Sequence, residues 1–87
     1  TDQPEIHDVA HAMRALADEY GERVLVGELY LPTETLVRYY GSEDAPGCHL
    51  PFNFQLIETP WDARAIARLI EAYEAALPPG GWPNWVL

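Results

Sequence analysis

Segments with helical and with strand patterns alternate along this 87-residue chain, and that alternation is the strongest constraint on its fold. Apolar residues recur at spacings of three and four in the segments that begin near Pro4 and Thr59, and a short helix is expected from Thr33 to residues 39–41. Apolar runs of strand character follow these segments at residues 24–30, 50–57 and 82–87. The order α-β-α-β-α-β, in which the last strand has only begun, predicts an α/β fold with parallel strands joined by crossover helices. Because so few strands cannot be covered on both faces, we expect the sheet to be part of a larger one.

Each helical segment has a recognisable start and one apolar side. Pro4 is typical of a first helical turn, and Gly21 closes the helix that follows it. Thr33 is a candidate cap of the second helix, and Thr59 of the third, with Asp62 at its third position. The side of the first helix that we expect to face the core is Ile6, Val9, Ala10, Met13, Leu16, Ala17 and Tyr20. For the last helix it is Ile66, Leu69, Ile70, Tyr73 and Leu77.

Glu28 is the single charged residue in the run 24–30 and lies near its carboxyl end. An unpaired ionised carboxylate is costly to bury, so this one must be paired, protonated or exposed to solvent. Enzymes built on parallel barrels carry their chemistry at the carboxyl ends of strands. Two interpretations stay open: a catalytic glutamate at the mouth of a barrel, or a structural glutamate that reaches water or an arginine. The strand period of two predicts one face made of Val24, Val26, Glu28 and Tyr30, with Leu25 and Leu29 on the other.

The second run, 50–57, supplies the expected neighbours of Glu28. The same period predicts that Phe52, Phe54 and Leu56 share one face, with Asn53 and Gln55 on the other. Asn53 is a candidate polar neighbour of Glu28, and Phe52 a candidate apolar wall. Gly27, next to Glu28, leaves room for close packing or a bend.

Charge and cysteine content exclude several classes of function. The net charge is −9, from 14 acidic residues against 5 basic ones, which disfavours nucleic acid and anionic membranes as partners. No apolar stretch approaches the roughly 20 residues that cross a bilayer. The single cysteine, Cys48, excludes an internal disulfide and fits a reducing compartment. Residues 1–5 lack a signal-peptide pattern and an initiator methionine, so we expect a processed or excised piece whose ends say little about targeting. From the single cysteine we expect a cytoplasmic protein.

Two residue pairs invite chemical interpretations that we consider weaker than structural ones. His7 and His11 have the spacing of two zinc ligands on a helix, but no third ligand is evident, and we expect solvated histidines beside the apolar stripe. Cys48 and His49 are adjacent, so their side chains point apart in an extended loop, and we expect an inert thiol. Most of the tyrosines and tryptophans are expected to pack in the core.

Three segments together resemble a known enzyme family. VLVGELYLP at residues 24–32 closely resembles the strand that carries the acid/base glutamate in bacterial α-glucosidases of the α-amylase superfamily. LPFNFQL at residues 50–56 is similar to the next barrel strand of those enzymes, and PPGGWPNWVL at residues 78–87 to the approach to strand seven. The resemblance covers essentially the whole chain and fits the oligo-1,6-glucosidase branch better than the endo-acting amylases.

The resemblance implies that residues 1–87 are a single partial domain, a fragment of a (β/α)8 TIM barrel from the helix after strand four to the start of strand seven. It implies a retaining glycosidase in which Glu28 is the general acid/base. Tyr30, Phe52 and Asn53 are then expected to contact an α-glucoside substrate, with no metal ion or cofactor. The family's aspartate nucleophile and its stabilising aspartate lie outside the matching segments, so we expect the isolated chain to be inactive. The alternative is a non-catalytic module that associates with itself through uncovered strand edges.

Overall fold

The strand that carries Glu28 pairs in parallel with the next strand of the chain. The structure is a computed structural model that describes residues 3–87, so the sequence interpretation of residues 1–5 falls partly outside it, at Thr1 and Asp2. Strand β1 (Val26–Gly27) and strand β2 (Leu50–Pro51) form a two-stranded parallel sheet in the register Val26↔Leu50 and Gly27↔Pro51. A parallel bridge between Asn53 and Trp85 adds the start of a third strand. The predicted parallel arrangement is confirmed, although the regular pairing is much shorter than the apolar runs.

Residues 3–87 contain four α-helices and one 3-10 helix, of which the first helix precedes β1 and the others follow it. They are α1 (Pro4–Asp18), α2 (Thr33–Leu36) with the 3-10 helix Val37–Tyr40, α3 (Gln55–Glu58) and α4 (Ala63–Ala76). None of the helices in the described residues is long and apolar enough to cross a membrane. Helix α1 begins at Pro4 as predicted. Helix α4 begins later than predicted, because Asp62 is its N-cap, with a carboxylate that accepts a hydrogen bond from the Ala65 amide at 2.9 Å.

The second strand ends earlier than the alternation of residues 50–57 predicts. The Asn53 side-chain oxygen accepts a hydrogen bond from the backbone amide of Gln55 at 2.9 Å. An asparagine that binds the backbone two residues ahead forms a local turn, which here turns the chain from the extended conformation into α3. Leu56 is therefore helical and does not continue the strand face of Phe52 and Phe54, which corrects the prediction.

The core lies where α2, the 3-10 helix and α4 meet beneath the sheet. Leu36, Tyr40 and Tyr73 are its buried centre. Partly buried apolar side chains surround that centre: Leu29, Leu31, Val37, Leu77 and Trp85. The predicted core side of α4 is confirmed, because its residues at helical spacing are buried or half-buried whereas the rest of α4 is largely exposed.

Helix α1 is oriented differently from the prediction. Its large apolar residues, which were expected to face the core, are 39% to 68% exposed: Ile6, Val9, Met13, Leu16 and Tyr20. The face that contacts the rest of the chain is polar: the Arg14 guanidinium donates to the Gly47 carbonyl at 3.0 Å, and His11 Nδ1 lies 3.0 Å from the Pro46 carbonyl oxygen. Hydrogen bonds to these carbonyls decide the orientation, since they satisfy backbone groups of the loop that precedes β2.

Candidate active site

Glu28 follows β1 directly and points to the uncovered side of the sheet. Residues 24–31 alternate strictly between exposed and half-buried side chains, so the predicted face of Val24, Val26, Glu28 and Tyr30 is confirmed. Within residues 3–87, no hydrogen bond or ion pair joins the Glu28 carboxylate to another group. The alternative in which Glu28 pairs with an arginine therefore has no support in the described part of the chain. The carboxylate is open to solvent and to any molecule that approaches this side of the sheet.

An aromatic group stands beside Glu28 on the same side of the sheet. The ring of Tyr30 lies parallel to that of Phe54, with 4.1 Å between the ring centroids and 11° between the planes. Phe52 meets Phe54 edge to face, with 5.7 Å between centroids. Tyr30 is 69% exposed, so one of its ring faces packs on Phe54 while the other remains available. A flat aromatic surface held from behind in this way can stack against the apolar face of a ring-shaped ligand.

Asn53 lies under the site and not on its surface. Its side chain has no exposed area, and its amide nitrogen has no hydrogen-bond partner in the described residues. Its backbone joins the third strand, because its amide donates to the Asn84 carbonyl at 2.8 Å and its carbonyl accepts from the Val86 amide at 3.0 Å. In this structure Asn53 therefore supports the strand ends, and no substrate can reach its side chain without a rearrangement.

Gln55 connects the segments that follow β1 and β2. Its side-chain nitrogen donates to the Leu31 carbonyl at 3.2 Å, and its side-chain oxygen accepts from the Thr33 hydroxyl at 3.0 Å. Its backbone carbonyl accepts from the Thr59 hydroxyl at 2.7 Å. These contacts fix the loop after Tyr30 to the turn after Phe54, so they fix the two stacked rings relative to each other.

An open cleft of about 510 Å³ lies along this junction. It is lined by Leu29, Tyr30, Leu31, Pro32, Phe54, Gln55, Glu58 and Thr59. Glu28 is adjacent in sequence to this lining but is not part of it, whereas the exposed Glu58 is. The cleft thus combines an aromatic surface with polar groups. Its lining includes one carboxylate, Glu58, and a second carboxylate, Glu28, is adjacent in sequence to that lining.

Close packing beneath Glu28 depends on Gly27. A Cβ atom at this position would lie 3.0 Å from the Cys48 sulfur, so of the two predicted uses of Gly27, close packing or a bend, the structure shows close packing. Cys48 is buried, and burial raises the pKa of its thiol, against smaller opposing effects of a backbone hydrogen bond and the Arg14 charge. A buried thiol held in its neutral form is a poor nucleophile, in agreement with the predicted inert cysteine.

The two histidines of α1 lie half-buried on its contact face, which corrects the prediction of solvated histidines. His7 packs against Tyr39 with 4.5 Å between ring centroids, and both histidines line a small cleft with Arg38 and Ser42. Among the described residues, no group of three or more histidine, cysteine, aspartate or glutamate side chains is placed to hold a metal ion. The contacts of these histidines instead attach α1 to the chain.

The sequence interpretation did not identify Phe54 and Gln55 as parts of the site. Both were assigned to a continuing strand, in which Gln55 is an ordinary polar residue of the alternation. One signal was present: Asn53 precedes Gln55 by two residues, and asparagine at that spacing is typical of a turn. A turn at that place brings Gln55 back toward the loop that follows β1.

Comparison with known proteins gives consistent matches. A family model described as the catalytic domain of alpha amylase matches residues 1–77. A salivary alpha-glucosidase of Anopheles gambiae is 36% identical over 94 residues, which cover 99% of this chain and 16% of the relative. Maltase A1 of Drosophila melanogaster is 33% identical over 95 residues, again with 99% and 16% covered. An alpha-glucosidase of Apis mellifera is 28% identical over 89 residues, 98% of this chain and 15% of the relative.

The chain spans about 16% of the length of the relatives that it matches best among these. The three relatives are insect proteins, so the bacterial branch expected from the motifs has no support in them.

Proposed function

Because this chain belongs to the family of alpha-amylase catalytic domains, we propose that it is part of the catalytic barrel of an α-glucosidase, with Glu28 as the general acid/base. One observation carries the assignment of Glu28. It is an exposed carboxylate that has no partner within residues 3–87, directly after a parallel strand and on the same strand face as the stacked ring of Tyr30. Strand stability alone does not require a charge at this position, whereas enzymes built on parallel barrels carry their catalytic side chains at the carboxyl ends of strands.

The proposed architecture is a (β/α)8 barrel. In it β1, β2 and the segment at Trp85 are three successive strands, the fifth to the seventh. A barrel of this kind takes about 250 residues, so residues 1–87 would form one central part of it. The parallel register and the uncovered face of Val24 and Val26 support this placement, because strands of a barrel have their inner face covered by side chains from the opposite strands.

The proposed reaction is hydrolysis of a short α-glucoside with retention of configuration. In the first step a carboxylate outside the matching segments forms a bond to the anomeric carbon. The glycosidic bond breaks, and Glu28 transfers its proton to the departing oxygen. In the second step the oxygen of a water molecule attacks the anomeric carbon, and the water transfers a proton to Glu28. The bond between the anomeric carbon and the first carboxylate breaks, which releases glucose and restores both carboxyl groups to their starting states.

Substrate contacts follow from the aromatic group. We propose that the exposed face of Tyr30 stacks against a glucose ring and that Phe54 holds it in place from behind. Phe52 forms an apolar wall beside them, as its edge-to-face contact with Phe54 supports. Asn53 would act indirectly, because its side chain is buried under the strand ends.

The decisive experiment substitutes Glu28→Gln in the full-length protein and compares two substrates. Maltose needs a proton on its leaving group, whereas α-glucosyl fluoride does not. We expect kcat/KM for maltose to fall by about 10² to 10⁴ and that for the fluoride to fall much less. Glu58→Gln is the matched control, because Glu58 is an exposed carboxylate that lines the same cleft. If Glu58→Gln shows the selective loss and Glu28→Gln does not, the acid has been assigned to the wrong residue.

A second candidate function is self-association of a non-catalytic module, which the exposed apolar side of α1 favours. The isolated 87-residue chain is expected to form dimers or larger species and not to hydrolyse p-nitrophenyl α-glucoside. Sedimentation velocity should show that Met13→Glu with Leu16→Glu restores a monomer, whereas Ala15→Glu, at an exposed position of α1 outside both its apolar side and its contact side, does not. A wild-type chain that sediments as a monomer would remove this candidate.

A further inference from the structure

Gln55 is placed to control the position of the strand end that carries Glu28. We infer that it is a positioning residue for the acid/base, and that its side-chain amide keeps the segment 28–33 in the geometry needed to protonate the leaving group. The inference rests on the proposed function of Glu28 and adds a residue whose role neither the family match nor the relatives' names describe.

The orientation of the Gln55 amide is determined by its partners. The Leu31 carbonyl can only accept, so the group 3.2 Å from it must be the amide nitrogen. The side-chain oxygen then faces the Thr33 hydroxyl, which donates to it at 3.0 Å. The Gln55 amide therefore donates one hydrogen bond to Leu31 and accepts one from Thr33. No other side chain in the described residues links Leu31 and Thr33 to the segment that follows the second strand.

The anchored loop is short. Leu31 is three residues from Glu28, and it is adjacent to Tyr30, whose ring packs on Phe54. Among the residues that the structure describes, regular strand pairing ends at Gly27 and no ladder hydrogen bond continues along residues 28–31. The position of this backbone therefore depends on side-chain contacts. Gln55 is half-buried and is itself held at its backbone by Asn53 and Thr59. The amide therefore adds two directional hydrogen bonds to a segment that is otherwise held by the packing of Leu29, Tyr30 and Leu31.

The test measures how strongly catalysis depends on protonation of the leaving group. In the full-length protein, kcat/KM for maltose is divided by kcat/KM for α-glucosyl fluoride. This ratio reports the protonated step, because both values refer to the first irreversible step and only maltose needs the acid. A substitution that merely lowers the folded fraction lowers both values equally and leaves the ratio unchanged.

We expect Gln55→Leu, which keeps the size but removes both bonds, to lower the ratio about tenfold or more, since small misplacements of catalytic groups have effects of this order. Thr33→Val removes one bond and is expected to lower the ratio about threefold. Thr35→Val is the matched control, because it is the same substitution at a half-buried residue of α2 whose hydroxyl makes no hydrogen bond within residues 3–87 and does not line the cleft. Its ratio should equal that of the wild type.

The outcomes separate the two levels of the argument. If Glu28→Gln does not lower the ratio, the acid assignment fails, and the proposed function with it. If Glu28→Gln lowers the ratio but Gln55→Leu and Thr33→Val leave it unchanged, only the positioning role is refuted, even if overall activity falls. If Gln55→Leu does not fold, Thr33→Val decides alone, because it changes a single hydroxyl at a half-buried position.

Discussion

Two tyrosines in the core allow a prediction whose sign does not depend on the strength of any single contact. Tyr73 is fully buried, and its hydroxyl lies 3.1 Å from that of Tyr40, which donates to the Trp82 carbonyl at 2.6 Å. Because Tyr40 uses its only hydroxyl hydrogen on Trp82, Tyr73 must donate in the bond between the two hydroxyls. We expect the double substitution Tyr40→Phe/Tyr73→Phe to destabilise the chain less than Tyr40→Phe alone.

The magnitudes follow from which polar groups lose their partners. Tyr40→Phe removes the bond to Trp82, about 1 kcal/mol, and leaves the buried Tyr73 hydroxyl without an acceptor, about 1–3 kcal/mol more. Tyr73→Phe removes one bond while Tyr40 still donates to Trp82, which costs about 0.5–1.5 kcal/mol. The double variant loses both bonds but buries no unpaired hydroxyl, so its loss should be about 1–2 kcal/mol.

Urea unfolding followed by tryptophan fluorescence measures these differences, because Trp85 packs on Tyr73 with 5.2 Å between ring centroids. Equal slopes of the free energy of unfolding against urea would show that the variants expose similar surface on unfolding. If the double variant is less stable than Tyr40→Phe by as much as Tyr73→Phe is less stable than the wild type, the two hydroxyls are not coupled and the assigned chain of donors is wrong.

The same pair predicts the response to alkali. Burial raises the pKa of Tyr73, and the hydrogen bond to Tyr40 raises it further. Burial also raises the pKa of Tyr40, with the Tyr73 bond as the smaller opposing effect. Because both folded-state pKa values lie above the unfolded value of about 10, the stabilisation is complete below that pH and is lost as the pH rises above it. Ultraviolet titration of tyrosinate should show alkaline unfolding that is weaker in the double variant.

Three further predictions concern other parts of the fold. Burial, with the Arg14 charge, lowers the pKa of His49 in the folded chain. The stability that neutral His49 contributes is therefore present above the unfolded pKa of about 6.5 and is lost as the pH falls through the lower folded-state pKa. His49→Gln should reduce this loss in urea unfolding curves. Gly27→Ala should destabilise the chain by about 1–3 kcal/mol through contact with the Cys48 sulfur, and Cys48→Ala should suppress most of that effect. Asp62→Ala should cost about 1 kcal/mol through loss of the α4 cap, measured by thermal unfolding, whereas Asp62→Asn should cost little.

Local patterns predicted the parts of the fold that depend on local geometry. The alternation from Val24 to Tyr30 gave the correct strand faces, because a period of two is a property of extended backbone whatever it packs against. The core side of α4 followed from helical spacing in the same way. The strand end at Asn53 was not predicted. The Asn53 side-chain oxygen accepts a hydrogen bond from the Gln55 amide and ends the strand there, although the apolar alternation continues through Leu56.

The orientation of α1 could not be predicted, since it depends on partners far away in sequence. The helix has two sides that could be covered, one apolar and one with His7, His11 and Arg14. Within the described residues the polar side contacts the rest of the chain, because the loop before β2 offers two carbonyl oxygens as acceptors. Periodicity identifies the sides of a helix but does not say which of them the neighbouring chain can satisfy.

Both proposed functions use the same uncovered surface, so one surface cannot serve both at once. The chain exposes 6001 Å², whereas a monomeric protein of 9.8 kDa is expected to expose about 5,200 Å². The excess of about 800 Å² is the area that one partner contributes to a standard protein interface. Exposed apolar side chains that a partner could cover include Met13 and Leu16 of α1 and Val24 and Val26 of the strand face. If the rest of a barrel covers this surface, the same surface cannot hold a second copy. Self-association through α1 is therefore expected of the isolated chain and not of the full-length protein.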